Sequence, residues 1–219
     1  MTRGDRQYNQ VKHFFGKEPT RVVVELIKYL EPDQRVLDLG GGDGRNSIWL
    51  AKQNLYVVNI DSSKTGIENA RKYAEESNVG DRVNCIVRDI TADTIQEISD
   101  DVFHAVVCTY VIENTGDQSG DQVDAKKAEK IINHIKQMVT PKGYAAIAFS
   151  PRSKNIQTGI ERFRGYSEQQ LEDHFTDWDQ IFKNQEWKIK TSGQPSTPEY
   201  INYNINNFLY IFRKPLYAE

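Results

Sequence analysis

Two cysteines, no long apolar run and no surplus of either charge set the first limits on this chain of 219 residues. Cys85 and Cys108 allow at most one bridge, which excludes a disulfide framework. Both fall in apolar segments that read as buried strands, so they are expected as small core hydrophobes. His13, His104, His134 and His174 are scattered without ligand spacing, and no metal is expected. A membrane-spanning helix needs ~20 consecutive apolar residues. The longest comparable stretch, Val102 to Ile112, is broken by His104 and Thr109, so no membrane partner is expected. With 28 Lys+Arg against 31 Asp+Glu the formal net charge is −3. That argues against broad nucleic-acid binding, which rests on many cationic contacts to phosphates. The first fifteen residues hold Arg3, Asp5, Arg6 and Lys12 and no apolar run, unlike a secretory leader, so a cytoplasmic location is expected.

What the chain does have is 38% hydrophobic residues, enough for one sizeable core and a single domain over residues 1–219. From position 20 onward, apolar strands alternate with amphipathic helices. Thr20 can cap a helix through about Leu30, where Val23, Leu26, Ile27 and Leu30 share one face and Pro32 ends it. Arg35 to Gly40 reads as a strand, Arg45 to Gln53 as a helix, Leu55 to Asp61 as a strand and Lys64 to Ser77 as a helix. Arg82 to Ile90, Val102 to Val111 and Gly143 to Ser150 read as strands, with a helix over Ala125 to Val139 before the last. Such alternation implies right-handed crossovers and a doubly wound, mostly parallel sheet, an α/β Rossmann-like fold. Residues 1–19 form an arm and candidate lid, in which Tyr8, Phe14 and Phe15 either close over a ligand or pack the arm to the core. Pro151 to Gly165 is expected as a loop and Ser167 to Phe175 as a helix with a capping box, together a substrate-side insertion over 151–175. Two strands near Trp187–Thr191 and Asn207–Arg213 have too short a linker for a crossover helix and are expected to pair antiparallel at the sheet edge.

The chemistry concentrates at the turn Asp38-Leu39-Gly40-Gly41-Gly42-Asp43-Gly44. Glycines between a strand and a helix let backbone approach a ligand, and the helix that opens with Arg45 and Asn46 offers unpaired N–H groups. A dinucleotide fingerprint would want a third glycine where Arg45 stands, and Asp38 and Asp43 would repel a pyrophosphate. The phosphate-loop pattern G-x-x-x-x-G-K is absent. A ligand with a cationic head suits the turn better, and S-adenosylmethionine, with its ammonium and sulfonium, is one. Asp61, followed by Ser62, ends the second strand, where a carboxylate can accept both ribose hydroxyls. Asp89, followed by Ile90, ends the third and can accept from an adenine amino group. Thr109 ends the fourth. Each acid alone is an ordinary strand terminus or helix cap, but three at the ends of three consecutive strands face the crevice where such sheets bind ligands.

VLDLGGGDGRN, NIDSS, VRDI and VTPKGY resemble the successive signatures of class I S-adenosylmethionine-dependent methyltransferases. The resemblance spans Val36 to Tyr144 and implies a seven-stranded sheet with an antiparallel last strand, with S-adenosylmethionine as cofactor. More narrowly, EPTRVVVELIKYLEPDQRVLDLGGGDGRNSIWLA and FRGYSEQQLEDHFTDW are similar to segments of the tellurite-resistance (TehB-type) methyltransferases, while the loop Asn114 to Asp124 and the tail after Trp187 depart from them. The implied activity is methyl transfer to a small molecule, with a soft chalcogen or thiol, or an anion, as acceptor. Methyl transfer asks mainly for alignment and exclusion of water, and a soft nucleophile needs no base. The D/N-P-P-Y/F motif of enzymes acting on amino groups of bases or glutamine is absent. Glu113, a carboxylate on the rim at the exit of the fourth strand, is the candidate base, or is merely solvated there. Arg152 and Arg164 are candidates to orient an anionic acceptor, because Pro151 to Gly165 carries Arg152, Lys154, Arg162 and Arg164 against Glu161 alone. Arg45 adds to the same field. A small-molecule O- or N-methyltransferase, and a non-catalytic sensor or partner subunit that binds the cofactor, stay open, as do a monomer and a homodimer.

Overall fold

A computed structural model describes residues 2–10, 13–92, 102–116, 123–155, 161–163, 165–192 and 201–216. The sheet strands are β1 (Arg35–Leu39), β2 (Tyr56–Asp61), β3 (Val83–Val87), β4 (Phe103–Thr109), β5 (Val139–Asn155), β6 (Glu161–Phe163), β7 (Asp179–Ser192) and β8 (Ile201–Arg213). Their order across the sheet is β3-β2-β1-β4-β5-β8-β7, with β6 pairing β5 off that path. β1 to β5 are mutually parallel, and β8 inserts antiparallel between β5 and β7. The seven-strand path matches the expected class I fold.

The central strands are apolar on both sides because helices cover both faces. Alternation along each strand sends successive side chains to opposite layers. Leu37 and Leu39 of β1, Ile147 and Phe149 of β5, and Tyr210 and Phe212 of β8 meet α5 (Ala125–Met138) through Ile131, Ile132 and Ile135. Val36, Ala146, Ala148, Leu209 and Ile211 face the other way, toward α2 (Arg21–Leu26) and α3 (Arg45–Lys52). The alanines there give α2 room for its buried Val22, Val23 and Leu26. α4 (Lys64–Glu76) opens on Ser63, whose hydroxyl accepts from Gly66 N at 3.0 Å. α6 (Glu168–Asp173) carries the expected Ser167/Gln170 capping box.

Several local expectations are corrected. α2 ends at Leu26 and passes into a 3-10 turn, and the Thr20 hydroxyl accepts from Arg45 Nη2 at 2.9 Å instead of capping the helix. β3 stops at Val87. Residues 151–155, expected in a loop, continue β5, because Arg152 to Asn155 find ladder partners in Asn206 to Tyr203. β7 and β8 run farther than their apolar centres suggest, since each satisfies the other's backbone from Asp179↔Arg213 to Ser192↔Ile201. The arm contains an unexpected helix, α1 (Arg3–Gln10), closed by a reciprocal cap in which Asp5 N donates to Thr2 Oγ1 and Thr2 N to Asp5 Oδ2. No described helix is long and apolar enough to cross a membrane. Cys85 and Cys108 are free and buried.

Candidate functional site

The sheet order reverses between β1 and β4, and the ends of β1 to β4 open there into a cavity of about 820 Å³. The glycine turn forms its floor. Gly40, Gly42 and Gly44 all have positive φ (78°, 56° and 86°), and Gly40 N and Gly41 N both donate to Ile60 O, at 2.7 and 3.2 Å. A Cβ on Gly40 would lie 2.4 Å from Val111 Cγ2, so only glycine holds this turn so low against the post-β4 chain.

Asp38 lies beneath the turn and does not line the cavity. Its Oδ2 accepts from Ser47 Oγ at 2.6 Å, while Oδ1 has no hydrogen-bond partner. Burial pushes its carboxyl up to about 6, against the pull of Ser47 and the Arg45 charge. Asp61 lines the cavity and ties two loops together, with Oδ1 accepting from Ser63 N (2.7 Å) and Oδ2 from Gly42 N (3.0 Å). Burial raises it as well. Beside it are Ser62 and, in the segment just past β3, Asp89 and Ile90. Asp89 Oδ1 accepts from Thr91 N and Oγ1, at 2.8 and 2.7 Å. Each carboxylate has about four lone-pair sites, so Asp61 and Asp89 retain capacity for hydroxyl or amino donors.

Asn46 and Thr109 meet at the cavity wall, with Asn46 Nδ2 donating to Thr109 Oγ1 at 2.9 Å and Asn46 Oδ1 accepting from Thr20 N at 2.9 Å. The expected residues Gly40, Gly41, Arg45, Asn46, Asp61 and Ser62 thus come together, joined by Asp89, Ile90 and Thr109. Gly42 and Gly44 shape the turn without lining it.

The candidate acceptor residues fare differently. Glu113 is buried at 3% exposure, not on the rim, and its Oε1 accepts from Ser150 N at 3.2 Å, which ties the post-β4 turn to β5. Arg152 pairs in β5 with Phe163 and Asn206, and its side chain lies outside the described residues. Arg164 lies wholly outside them. Arg45 lines the cavity but is committed to the arm, donating to Phe15 O (3.1 Å) and Thr20 Oγ1 (2.9 Å).

Two features were missed in the sequence, the backbone of Tyr110 and the cations Arg88 and Lys127. Tyr110 has left-handed backbone (φ 59°), held by Tyr110 N donating to Ala148 O and Asn114 Nδ2 donating to Tyr110 O, each at 2.7 Å. Left-handed backbone is strained for a tyrosine, and here that strain lies at the cavity wall. Burial, then Glu113, pushes its hydroxyl up to about 12. Arg88 and Lys127 also line the cavity. The arm's aromatic residues reach it as well: Tyr8 of α1 lies against Gly42 and Gly66, and Phe14, beyond α1, donates its N–H to Asp43 Oδ2 at 3.2 Å.

A family model described as "Tellurite resistance protein TehB" matches residues 5–191, well over half of the chain. The chain belongs to the TehB family. The probable S-adenosyl-L-methionine-dependent methyltransferase TehB of Haemophilus influenzae is 24% identical over 163 residues, covering 74% of this chain and 52% of that protein. The ubiquinone biosynthesis O-methyltransferase of Rickettsia akari is 32% identical over 120 residues, 54% of this chain and 41% of that one. The chain thus spans about half the length of the curated relatives it matches. The crystal structure of TehB from Haemophilus influenzae superposes with a TM-score of 0.63 at 21% identity, covering 88% of this chain and 61% of that one. The match to TehB starts at Asp5, so the arm belongs to the shared region, and it ends before β8.

Proposed function

We propose that this TehB-family chain transfers a methyl group from S-adenosylmethionine to a small soft or anionic acceptor in the cytoplasm. The site fits that cofactor on its own observations. Asp38, a buried carboxylate with an unpartnered oxygen, lies beneath the turn rather than in the cavity, and its charge when ionised favours a ligand whose cationic amino acid end rests on the turn above it. Asp61 retains acceptor capacity for two ribose hydroxyls, and Asp89 does so for an amino edge. The cavity volume is in the ordinary range for a small-molecule site. When bound, the cofactor supplies a methyl group on a sulfonium leaving group, ready for in-line displacement.

The chain's own residues then bind, orient and exclude water. Gly40, Gly41 and Asp61 line the cavity at the glycine turn, and Tyr8, packed against Gly42, and Phe15 bring the arm to it. The observation that carries the acceptor reading is the scarcity of uncommitted bases: among the described residues lining the cavity there is no histidine or cysteine, and its carboxylates are held by the chain itself, Asp43 by Phe14 N, Asp61 by Gly42 N and Ser63 N, and Asp89 by Thr91. Tyr110 stays protonated at neutral pH. A site of this kind favours an acceptor that arrives as a nucleophile, such as a thiolate or a reduced or oxyanionic chalcogen. Arg152 and Arg164 are proposed to orient its negative charge. A second reading, O-methylation of a phenol, draws on the Phe15 and Tyr110 walls and on the likeness to a ubiquinone biosynthesis O-methyltransferase. The test is turnover of S-adenosylmethionine to S-adenosylhomocysteine with tellurite, selenite, thiols and small phenols. A soft or anionic best acceptor supports the first reading and a phenol the second. Tight cofactor binding with no turnover on any acceptor would make the chain a sensor or partner subunit.

A further inference from the structure

The arm and the floor of the cavity are joined by one continuous chain of hydrogen bonds. Asp5, on α1, is 9% exposed. Its Oδ1 accepts from Ser63 Oγ at 2.6 Å and from Thr65 N at 3.2 Å, and its Oδ2 from Thr2 N at 2.8 Å. Ser63 is fully buried, and its N donates to Asp61 Oδ1 at 2.7 Å. Asp61 Oδ2 in turn accepts from Gly42 N at 3.0 Å. The path therefore runs Asp5, Ser63, Asp61, Gly42, from the arm through the loop after β2 to the glycine turn.

We infer that Asp5 is a positioning residue for the cofactor: acting through Ser63, it sets the carboxylate of Asp61, so that docking of α1 and cofactor binding are one coupled event. This rests on the proposed role of Asp61 at the ribose. Ser63 Oγ has one proton to give and uses it on Asp5, while it accepts from Gly66 N at 3.0 Å. Without Asp5, a hydroxyl proton with no exposure to water loses its acceptor, and the Ser63 backbone that orients Asp61 loses its anchor. Asp5 also puts its charge on the first turn of the 13-residue α4, where the helix dipole favours an anion. Burial alone would push its carboxyl up, but the bonds from Ser63, Thr2 and Thr65 hold it well below the usual carboxylate range.

Packing tightens the link. A Cβ on Gly4 would lie 3.0 Å from Ser63 Cβ, and one on Gly66 2.9 Å from Tyr8 Cδ2, so α1 rests on Ser63 and α4 at backbone distance. Asn69 Nδ2 adds a bond to Tyr8 O at 3.3 Å. The loop that holds Asp61 cannot shift without moving α1, and α1 in turn carries Tyr8 over the cavity. Coupling of this kind is reciprocal, so the ligand must tighten the arm by the same factor as the arm tightens the ligand.

The test uses S-adenosylhomocysteine as an unreactive probe, with calorimetry on the parent chain and on Asp5→Ala, Asp5→Asn, Ser63→Ala, the Asp5→Ala/Ser63→Ala double variant and Asp61→Ala. Asp5→Ala and Ser63→Ala should each weaken the probe by roughly 5- to 20-fold. The double variant should be no weaker than the worse single one, because both break the same path. Asp5→Asn, which keeps an oxygen for Ser63 and Thr65, should recover most of the loss. Hydrogen exchange gives an independent readout: amides of residues 3–10 should gain protection from the probe in the parent chain and lose that gain in Ser63→Ala. A merely structural cap would lower the unfolding midpoint and leave probe affinity and ligand-linked protection unchanged, which would overturn the inference. If Asp61→Ala binds the probe as the parent does, the ribose reading fails and takes this inference with it. If Asp61→Ala weakens binding while Asp5→Ala and Ser63→Ala do not, only this inference fails.

Discussion

Replacing Asp38 by asparagine should stabilise the ligand-free protein while weakening its grip on the cofactor. Asp38 is 1% exposed, and burial pushes its carboxyl up to about 6 in the folded chain, from the ordinary 3.8 of an exposed aspartate. A difference of about 2 pH units at ~1.4 kcal/mol each corresponds to up to about 3 kcal/mol. The sign follows from proton counting. Between about pH 4 and 6 the folded protein still holds a proton that the unfolded chain has released, so stability falls as pH rises through that window and levels above it. Asparagine cannot ionise, keeps an oxygen for Ser47 Oγ and brings an N–H group to a site where Asn59 Oδ1 also lacks a partner beside Gly41. Urea unfolding of the parent and Asp38→Asn from pH 4 to pH 8 should show curves that agree near pH 4 and separate by up to about 3 kcal/mol at pH 7, the variant being more stable. Calorimetry near pH 6 should show proton release on binding S-adenosylmethionine in the parent, because a cationic ligand draws Asp38 to its ionised form, and less release in the variant, where Asp61 remains as a raised carboxylate. A stability difference that does not change with pH would refute the reasoning.

Asp61→Ala leaves Gly42 N and Ser63 N without their acceptor and should weaken S-adenosylmethionine by ~1.5–3 kcal/mol, read by calorimetry; unchanged affinity would remove Asp61 from the site. Gly44→Ala puts an L-residue at φ 86° with its Cβ 2.4 Å from Ile48 Cδ1 and 3.0 Å from Ala70 Cβ. It should lose at least ~1–2 kcal/mol in chemical unfolding, and an unshifted midpoint would contradict the turn geometry. Arg164→Ala should lower kcat/KM for the best acceptor by roughly tenfold or more while leaving cofactor affinity nearly intact. Equal activity, or a best acceptor that proves cationic, would sink the anionic reading.

The sheet and the floor of the site were legible because their signals are local. A strand, a glycine turn and a helix start lie within eleven residues at Arg35 to Arg45, and an acid stands at the end of β2 (Asp61) and two residues past β3 (Asp89). What was not legible depends on partners far along the chain. α1 reads as polar, RGDRQYNQ, and its stability comes from Asp5 meeting Ser63, 58 residues away. Glu113 looks like a rim carboxylate until Ser150 N, 37 residues on, is seen to draw it inside. Arg45 reads as part of a positive field, yet the arm folds back far enough for Phe15 O and Thr20 to claim its donors. Tyr110 gives no sequence sign of left-handed backbone, because that turn is imposed by Ala148 O and Asn114 around it.

The place of β8 in the sheet has a consequence for the order in which the protein can be made. β8 follows both of its neighbours in the chain but lies between them, so until it leaves the ribosome β7 has no ladder to join and β5 shows a bare edge toward it. The stacked rings of Phe175 and Phe212, 4.3 Å apart, and of Tyr210 beside them likewise wait for the same segment. Translation therefore passes through a stage in which the parallel half is complete and holds open a slot shaped for one specific strand. An open edge of that kind pairs with whatever matching strand arrives first. A nascent chain stalled before Ile201 can accept β8 only from another copy, which makes strand exchange the characteristic misassembly of this fold.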